Sequence, residues 1–126
     1  MKISVCIPMY NEASIAAEFA RTLHAACASF AGAWGDEYEL IFCDDGSSDD
    51  CAEIVRREAQ ALGAASTNGD VPPVVIRVVG YPDNRGKGSA VRTAFKASAG
   101  DLVMYTDCDL AYGTDVIGAA VERLKA

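Results

Sequence analysis

The sequence predicts an α/β fold, a parallel Rossmann-like sheet of four βα units in the strand order 3-2-1-4. Three observations carry this reading. Short apolar, β-rich runs alternate four times with segments whose apolar residues recur at helical spacing. Strands separated by helices must be joined by crossovers, which gives a parallel sheet with helices on both faces. Every unusual polar cluster also falls directly after one of the four apolar runs, at the rim where open α/β sheets bind ligands beside the point of strand reversal.

The first strand is Ile3 to Pro8, stopped by the proline. After Tyr10-Asn11-Glu12, the residues Ile15, Phe19, Leu23, Cys27 and Phe30 mark an amphipathic helix. His24, the only histidine, sits beside that stripe and reads as a helix-surface residue, since no second imidazole is available for catalysis. Tyr38 to Cys43 form a second strand running into Asp44-Asp45-Gly46-Ser47-Ser48. Ser47 or Ser48 is placed to cap the next helix, whose stripe is Cys51, Ile54, Val55, Ala59 and Leu62. Gly63 to Pro73 read as a surface loop. Val74 to Val79, β-branched almost throughout, predict a third strand buried on both faces. A turn from Gly80 to Gly88 leads to a helix carrying Ala90, Val91, Ala94 and Phe95. The fourth strand starts at Asp101 and runs toward Asp107-Cys108-Asp109, and a last helix contains Ile117, Ala120, Val121 and Leu124.

With 126 residues and 51% hydrophobic content, the chain is long enough for one domain with its own core. A net charge of −7 repels nucleic acid and anionic membrane surfaces, so a phosphate ligand needs a metal or local donors. No apolar run has the length of a membrane span, and no signal-peptide layout precedes Ile3, which points to a cytoplasmic protein. The five cysteines form no C-x-x-C and read as small buried hydrophobes.

The chemistry gathers at the four strand ends. On an extended chain Asp107 and Asp109 lie on the same side, where two hard oxygen donors suit Mg²⁺ or Mn²⁺ beside phosphates. Gly86-Lys87-Gly88 lacks both the glycine spacing and the Ser/Thr of a P-loop, and Val91 stands where a dinucleotide fingerprint needs glycine. Glycines at a helix start still expose N–H groups beside one cation, which suits a diphosphate. Asp44-Asp45-Gly46-Ser47 reads either as a capped turn or as a carboxylate accepting from a base N–H or a ribose hydroxyl.

Taken together, Ser4-Val5-Cys6-Ile7-Pro8-Met9-Tyr10-Asn11-Glu12, Asp44-Asp45-Gly46-Ser47, Asn84-Arg85-Gly86-Lys87-Gly88 and Asp107-Cys108-Asp109-Leu110 resemble, in this order and spacing, the family 2 inverting glycosyltransferases of the GT-A fold. The nearest subgroup is that of the dolichol-phosphate mannose and glucose synthases and their bacterial relatives. The resemblance covers nearly the whole chain. It implies that Pro8, Tyr10, Glu12 and Asp45 contact the nucleotide of a UDP- or GDP-sugar, that Lys87 lies near the donor, and that Asp107 and Asp109 hold an Mg or Mn ion bridging the diphosphate. It also implies a polyprenyl phosphate as acceptor and a place at the cytoplasmic face of the membrane. Leu110 is followed by Ala111 where the mannose synthases commonly carry Gln as a further ligand. The family places its catalytic base beyond the equivalent of the last helix, so residues 1–126 are expected to be a single nucleotide-sugar-binding domain, truncated at the C-terminus.

Two other classes share some of these features. A receiver-like signalling domain also gathers carboxylates around Mg²⁺ on a parallel sheet. It needs an acidic pair after the first strand, where this chain has Pro8-Met9-Tyr10, and an Asp closing the third, where there is none. A nucleotide-binding module without catalysis is the other alternative.

Overall fold

The computed structural model describes residues 1–65, 72–108 and 115–125. Strand and helix alternate throughout: β1 (Lys2–Met9), α1 (Ala13–Trp34), β2 (Glu37–Asp45), α2 (Cys51–Ala65), β3 (Val74–Tyr81), α3 (Lys87–Ala97), β4 (Leu102–Tyr105) and α4 (Asp115–Lys125). The sheet has the order β3-β2-β1-β4 with every pair parallel, as the alternation predicts. The order reverses between β1 and β4, which sets their carboxyl ends as the ligand rim.

Period-2 alternation divides the central strands between two cores. Ile3, Val5, Ile7 and Met9 of β1 and Tyr38, Leu40 and Phe42 of β2 pack on one face with residues of α1, α2 and α4. Cys6, Ile41 and Cys43 face the other way and meet Ala90 and Ala94 of α3. Leu23 of α1 is fully buried. Its truncation to alanine costs about 2–5 kcal/mol, as cavity formation in a packed core does. The cysteines are free and buried. Burial pushes the Cys6 thiol up to about 11 and that of Cys27 up to about 12, so both are small protonated hydrophobes.

The second face contains one charged cluster. Glu39 accepts from the Ser4 hydroxyl at 2.6 Å, the Ala99 N–H at 2.7 Å and the Arg77 guanidinium at 2.7 Å. Burial raises the Glu39 pKa, but these donors outweigh it and hold the carboxyl below its ordinary range. The cluster ties β1, β2, β3 and the entry to β4 together at the end opposite the rim.

Several elements depart from expectation. β1 continues through Pro8 to Met9, and Pro8 pairs in register with Cys43 of β2. Its pairing with β4 ends at Cys6 opposite Tyr105, so among the described residues Pro8 has a strand partner on one side only, where a missing N–H is tolerated. In α1 the buried residues include Ala16, Ala20 and Ala31, whose small side chains let the helix approach closely, while Phe30 packs against the core from a half-buried position and Ile15 is not among the core residues. β3 is an edge strand with one side open, and Val75 is 47% exposed, so it is not buried on both faces. Phe95 and Leu124, expected on buried stripes, are 54% and 57% exposed. His24 is half-buried, and burial lowers its pKa against a backbone bond to Val74.

Candidate functional site

The rim is assembled by two contacts between loops. Asn11 takes a left-handed φ of 53°, which its short polar side chain tolerates better than most. Its N–H donates to Ser47 Oγ at 2.9 Å, and its Oδ1 accepts from the Ser48 N–H at 2.8 Å and the Ser48 hydroxyl at 3.1 Å. The serines are therefore engaged with Asn11, and the cap of α2 comes instead from Asp49, whose Oδ1 accepts the Cys51 N–H at 3.1 Å. This corrects the expectation that Ser47 or Ser48 caps the helix. The loops after β1 and β2 are clasped together, which fixes Tyr10 and Glu12 relative to Asp44 and Asp45.

The second contact joins the ends of β2 and β3. Asp45 is only 3% exposed, and its Oδ1 accepts the Tyr81 hydroxyl at 2.5 Å and the Arg85 N–H at 2.8 Å. Its Oδ2 accepts from Asn84 Nδ2 at 2.9 Å and the Gly86 N–H at 3.0 Å. The neighbouring Asp44 accepts the Ser47 N–H at 2.9 Å and closes its own turn. Gly46, at φ 66°, lets the β3–α3 turn approach, since a Cβ there would overlap the backbone of Asp83 and Asn84. The Arg85 guanidinium lies 4.7 Å from the centroid of the Tyr81 ring. The whole turn is thus folded around one carboxylate, and it delivers Gly86 and Lys87 to the rim.

Lys87 opens α3 without a side-chain cap before it, so the positive end of the helix dipole faces the rim. Its Nζ lies 2.5 Å from Asp107 Oδ1. β4 ends at Tyr105, two residues short of Asp107, and Cys108 is in a bend. Cys108 is buried in the main core and anchors the segment that carries Asp107.

These segments enclose a cavity of about 440 Å³ lined by Pro8, Met9, Tyr10, Glu12, Asp45, Asn84, Gly86, Lys87, Asp107 and Cys108. Six residues singled out from the sequence (Pro8, Tyr10, Glu12, Asp45, Lys87 and Asp107) therefore line one space. Asp109 lies outside the described residues. Met9 and Cys108 were not foreseen as lining, although each adjoins a residue that was. A groove of about 500 Å³ between α2 and β3, lined by Glu53, Arg56 and Arg57 among others, lies away from the strand ends.

A divalent cation fits this rim in one specific way. Among the described residues no three His, Cys, Asp or Glu side chains converge as a metal cage. Asp107 offers a hard oxygen donor on the cavity wall. One or two carboxylates completed by ligand phosphates and water is the usual arrangement for Mg²⁺. Among the described residues no helix is long and apolar enough to cross a membrane.

The family described as Glycosyl transferase family 2 matches residues 4–126. The undecaprenyl-phosphate 4-deoxy-4-formamido-L-arabinose transferase of Klebsiella pneumoniae (strain 342) is 35% identical over 122 residues, covering 97% of this chain and 33% of the relative. Its counterpart in Edwardsiella ictaluri (strain 93-146) is 38% identical, with 95% and 33% covered. The chain thus spans about a third of the length of these curated relatives. Among solved structures, the mannosyltransferase PcManGT from Pyrobaculum calidifontis, in complex with GDP-Man and Mn2+, superposes with a TM-score of 0.72 at 27% identity, over 98% of this chain and 32% of that one. S. aureus TarS 1-349 superposes with a TM-score of 0.67 at 23% identity, over 99% and 32%, a likeness of fold.

Proposed function

The chain belongs to glycosyl transferase family 2, and from that premise we propose that it forms the donor-binding part of a nucleotide-sugar-dependent glycosyltransferase acting at the cytoplasmic face of a membrane. The observation that carries this reading is the cavity at the strand ends, where Pro8, Tyr10, Glu12, Asp45, Lys87 and Asp107 meet. Tyr10, 47% exposed, offers an aromatic surface to the base of a UDP- or GDP-sugar. Asp45 and Glu12 bound the nucleotide pocket. Asp107 and Asp109 would hold a Mg²⁺ or Mn²⁺ ion, which when bound neutralises charge developing on the leaving diphosphate. Lys87 and the N-terminal end of α3 add positive potential to the same place.

The named relatives are transferases of undecaprenyl-phosphate sugars, and this supports a polyprenyl phosphate as acceptor. In an inverting transfer a phosphate oxygen of that acceptor attacks the anomeric carbon, and the bond from this carbon to the diphosphate oxygen breaks.

Calorimetric titration with UDP and with GDP, with and without Mn²⁺, tests the reading. Binding is expected to require Mn²⁺ and to be lost in Asp109→Ala, as loss of a carboxylate ligand to the ion would produce. Equal affinity with and without the ion would overturn it.

A further inference from the structure

Lys87 is the one basic side chain among the described residues that line the cavity, where Glu12, Asp45 and Asp107 are acidic. Asp45 is already surrounded by chain donors from Tyr81, Asn84, Arg85 and Gly86. Asp107 instead meets the Lys87 ammonium at 2.5 Å, and that ammonium stands 5.7 Å from the centroid of the Tyr105 ring. Each partner is also anchored through its neighbour in the chain. Lys87 follows Gly86, whose N–H is bonded to Asp45, and Asp107 precedes the buried Cys108.

We propose that Lys87 is the resident counter-ion of Asp107: it occupies the carboxylate that a divalent cation must take, and on exchange it turns its charge to the diphosphate of the ligand. The second half of this rests on the nucleotide-sugar reading above; the first half concerns only the chain and the ion. The Lys87 and Asp107 side chains are 55% and 48% exposed. An ion pair so open to water shifts an equilibrium by only about 1.4- to 5-fold. It is therefore strong enough to keep an acidic cavity from repelling an anionic ligand outright, and weak enough to yield to a cation of twice the charge. The lysine stem carries several rotatable bonds, so the exchange needs no movement of α3. In the absence of nucleotide the competition should weaken metal binding. In its presence the ion and the lysine should serve different oxygens, Asp107 holding one and the diphosphate the other.

The test is Mn²⁺ titration without nucleotide, followed by the electron paramagnetic resonance signal of the free ion, on the wild type, Lys87→Gln and Lys96→Gln. Lys96 lies in the last turn of the same helix and controls for overall charge. Lys87→Gln is expected to bind Mn²⁺ about two- to fivefold more tightly than the wild type, with Lys96→Gln unchanged. At saturating Mn²⁺ the same variant should bind UDP or GDP about tenfold more weakly, having lost a charge-assisted bond. Mn²⁺ affinity equal in the two variants, lower in Lys87→Gln, or unmeasurable in all three proteins overturns the counter-ion role. If the Mn²⁺ arm behaves as expected while the wild type binds neither nucleotide, the competition stands and the nucleotide-sugar reading falls.

Discussion

Asp49 Oδ2 accepts the Ala13 N–H at 3.0 Å across two loops, while its Oδ1 accepts the Cys51 N–H at 3.1 Å. One carboxylate thereby caps α1 and α2 together, and α1 has no cap from its own flanking residue. A single cap contributes about 0.5–2 kcal/mol, so Asp49→Ala is expected to cost roughly 1–3 kcal/mol at neutral pH. Burial raises the Asp49 pKa, but the N–H donors of Ala13 and Cys51 outweigh it and lower it overall. A folded pKa below the unfolded one stabilises above the unfolded value, near 3.9, and the benefit is lost as pH falls through the folded value. Urea unfolding at pH 7 and again below about pH 3.9, where the Asp49 carboxyl takes up its proton, should therefore show a wild-type advantage that shrinks on acidification. An equal midpoint for wild type and variant at pH 7 would remove Asp49 from the caps.

Asp45 presents the opposite case, a rim carboxylate turned inward. Its acceptor sites are engaged by Tyr81, Asn84, Arg85 and Gly86, so Asp45→Ala should loosen the turn that carries Lys87 as well as the nucleotide pocket. Leaving donors to an ionised group unsatisfied costs about 1.5–3 kcal/mol. Because that turn carries Lys87 and lines the cavity, UDP or GDP affinity should fall with it. Tyr81→Phe removes one donor and leaves the carboxylate, so it should lower stability by about 0.5–1.5 kcal/mol and change affinity less. Parallel calorimetry in saturating Mn²⁺ decides the point. Should Asp45→Ala bind either nucleotide as the wild type does, Asp45 must be withdrawn from the site.

The order β3-β2-β1-β4 was legible because alternating apolar runs and helical stripes admit few topologies, and the rim was legible because each strand ended in polar residues. What escaped was set by neighbours distant in sequence. The β-branched run of β3 signals a strand but not its position, and at the edge Val75 stands open. Asn11 and Ser48 look like independent turn residues until the fold brings them to 2.8 Å. Nothing local distinguishes Asp49, which caps two helices, from Asp50 beside it.

Gly46 and Gly32 make a paired prediction about where a methyl group is tolerated. At Gly46 the backbone has φ 66°, and a Cβ would overlap Asn84 N and the carbonyl carbon of Asp83. Both obstacles are main chain, so neither can rotate away. Gly46→Ala must either separate the β2–α2 and β3–α3 loops or break the bonds that Asp45 makes to Asn84, Arg85 and Gly86. The strained φ alone costs roughly 1–2 kcal/mol, and the collision adds to it. Gly32 sits in α1, where nothing lies within 4 Å of an added Cβ. Gly32→Ala should therefore stabilise by about 0.4–1 kcal/mol, through helix propensity and a less disordered unfolded chain. Urea unfolding of both variants, with Mn²⁺-dependent nucleotide titration of each, separates the two effects. Gly46→Ala is expected to lose stability and nucleotide affinity together, because the loops that collide are the ones that line the cavity. Unchanged stability in Gly46→Ala would show that the two loops do not meet in solution, and the cavity built from their contact would then have no basis.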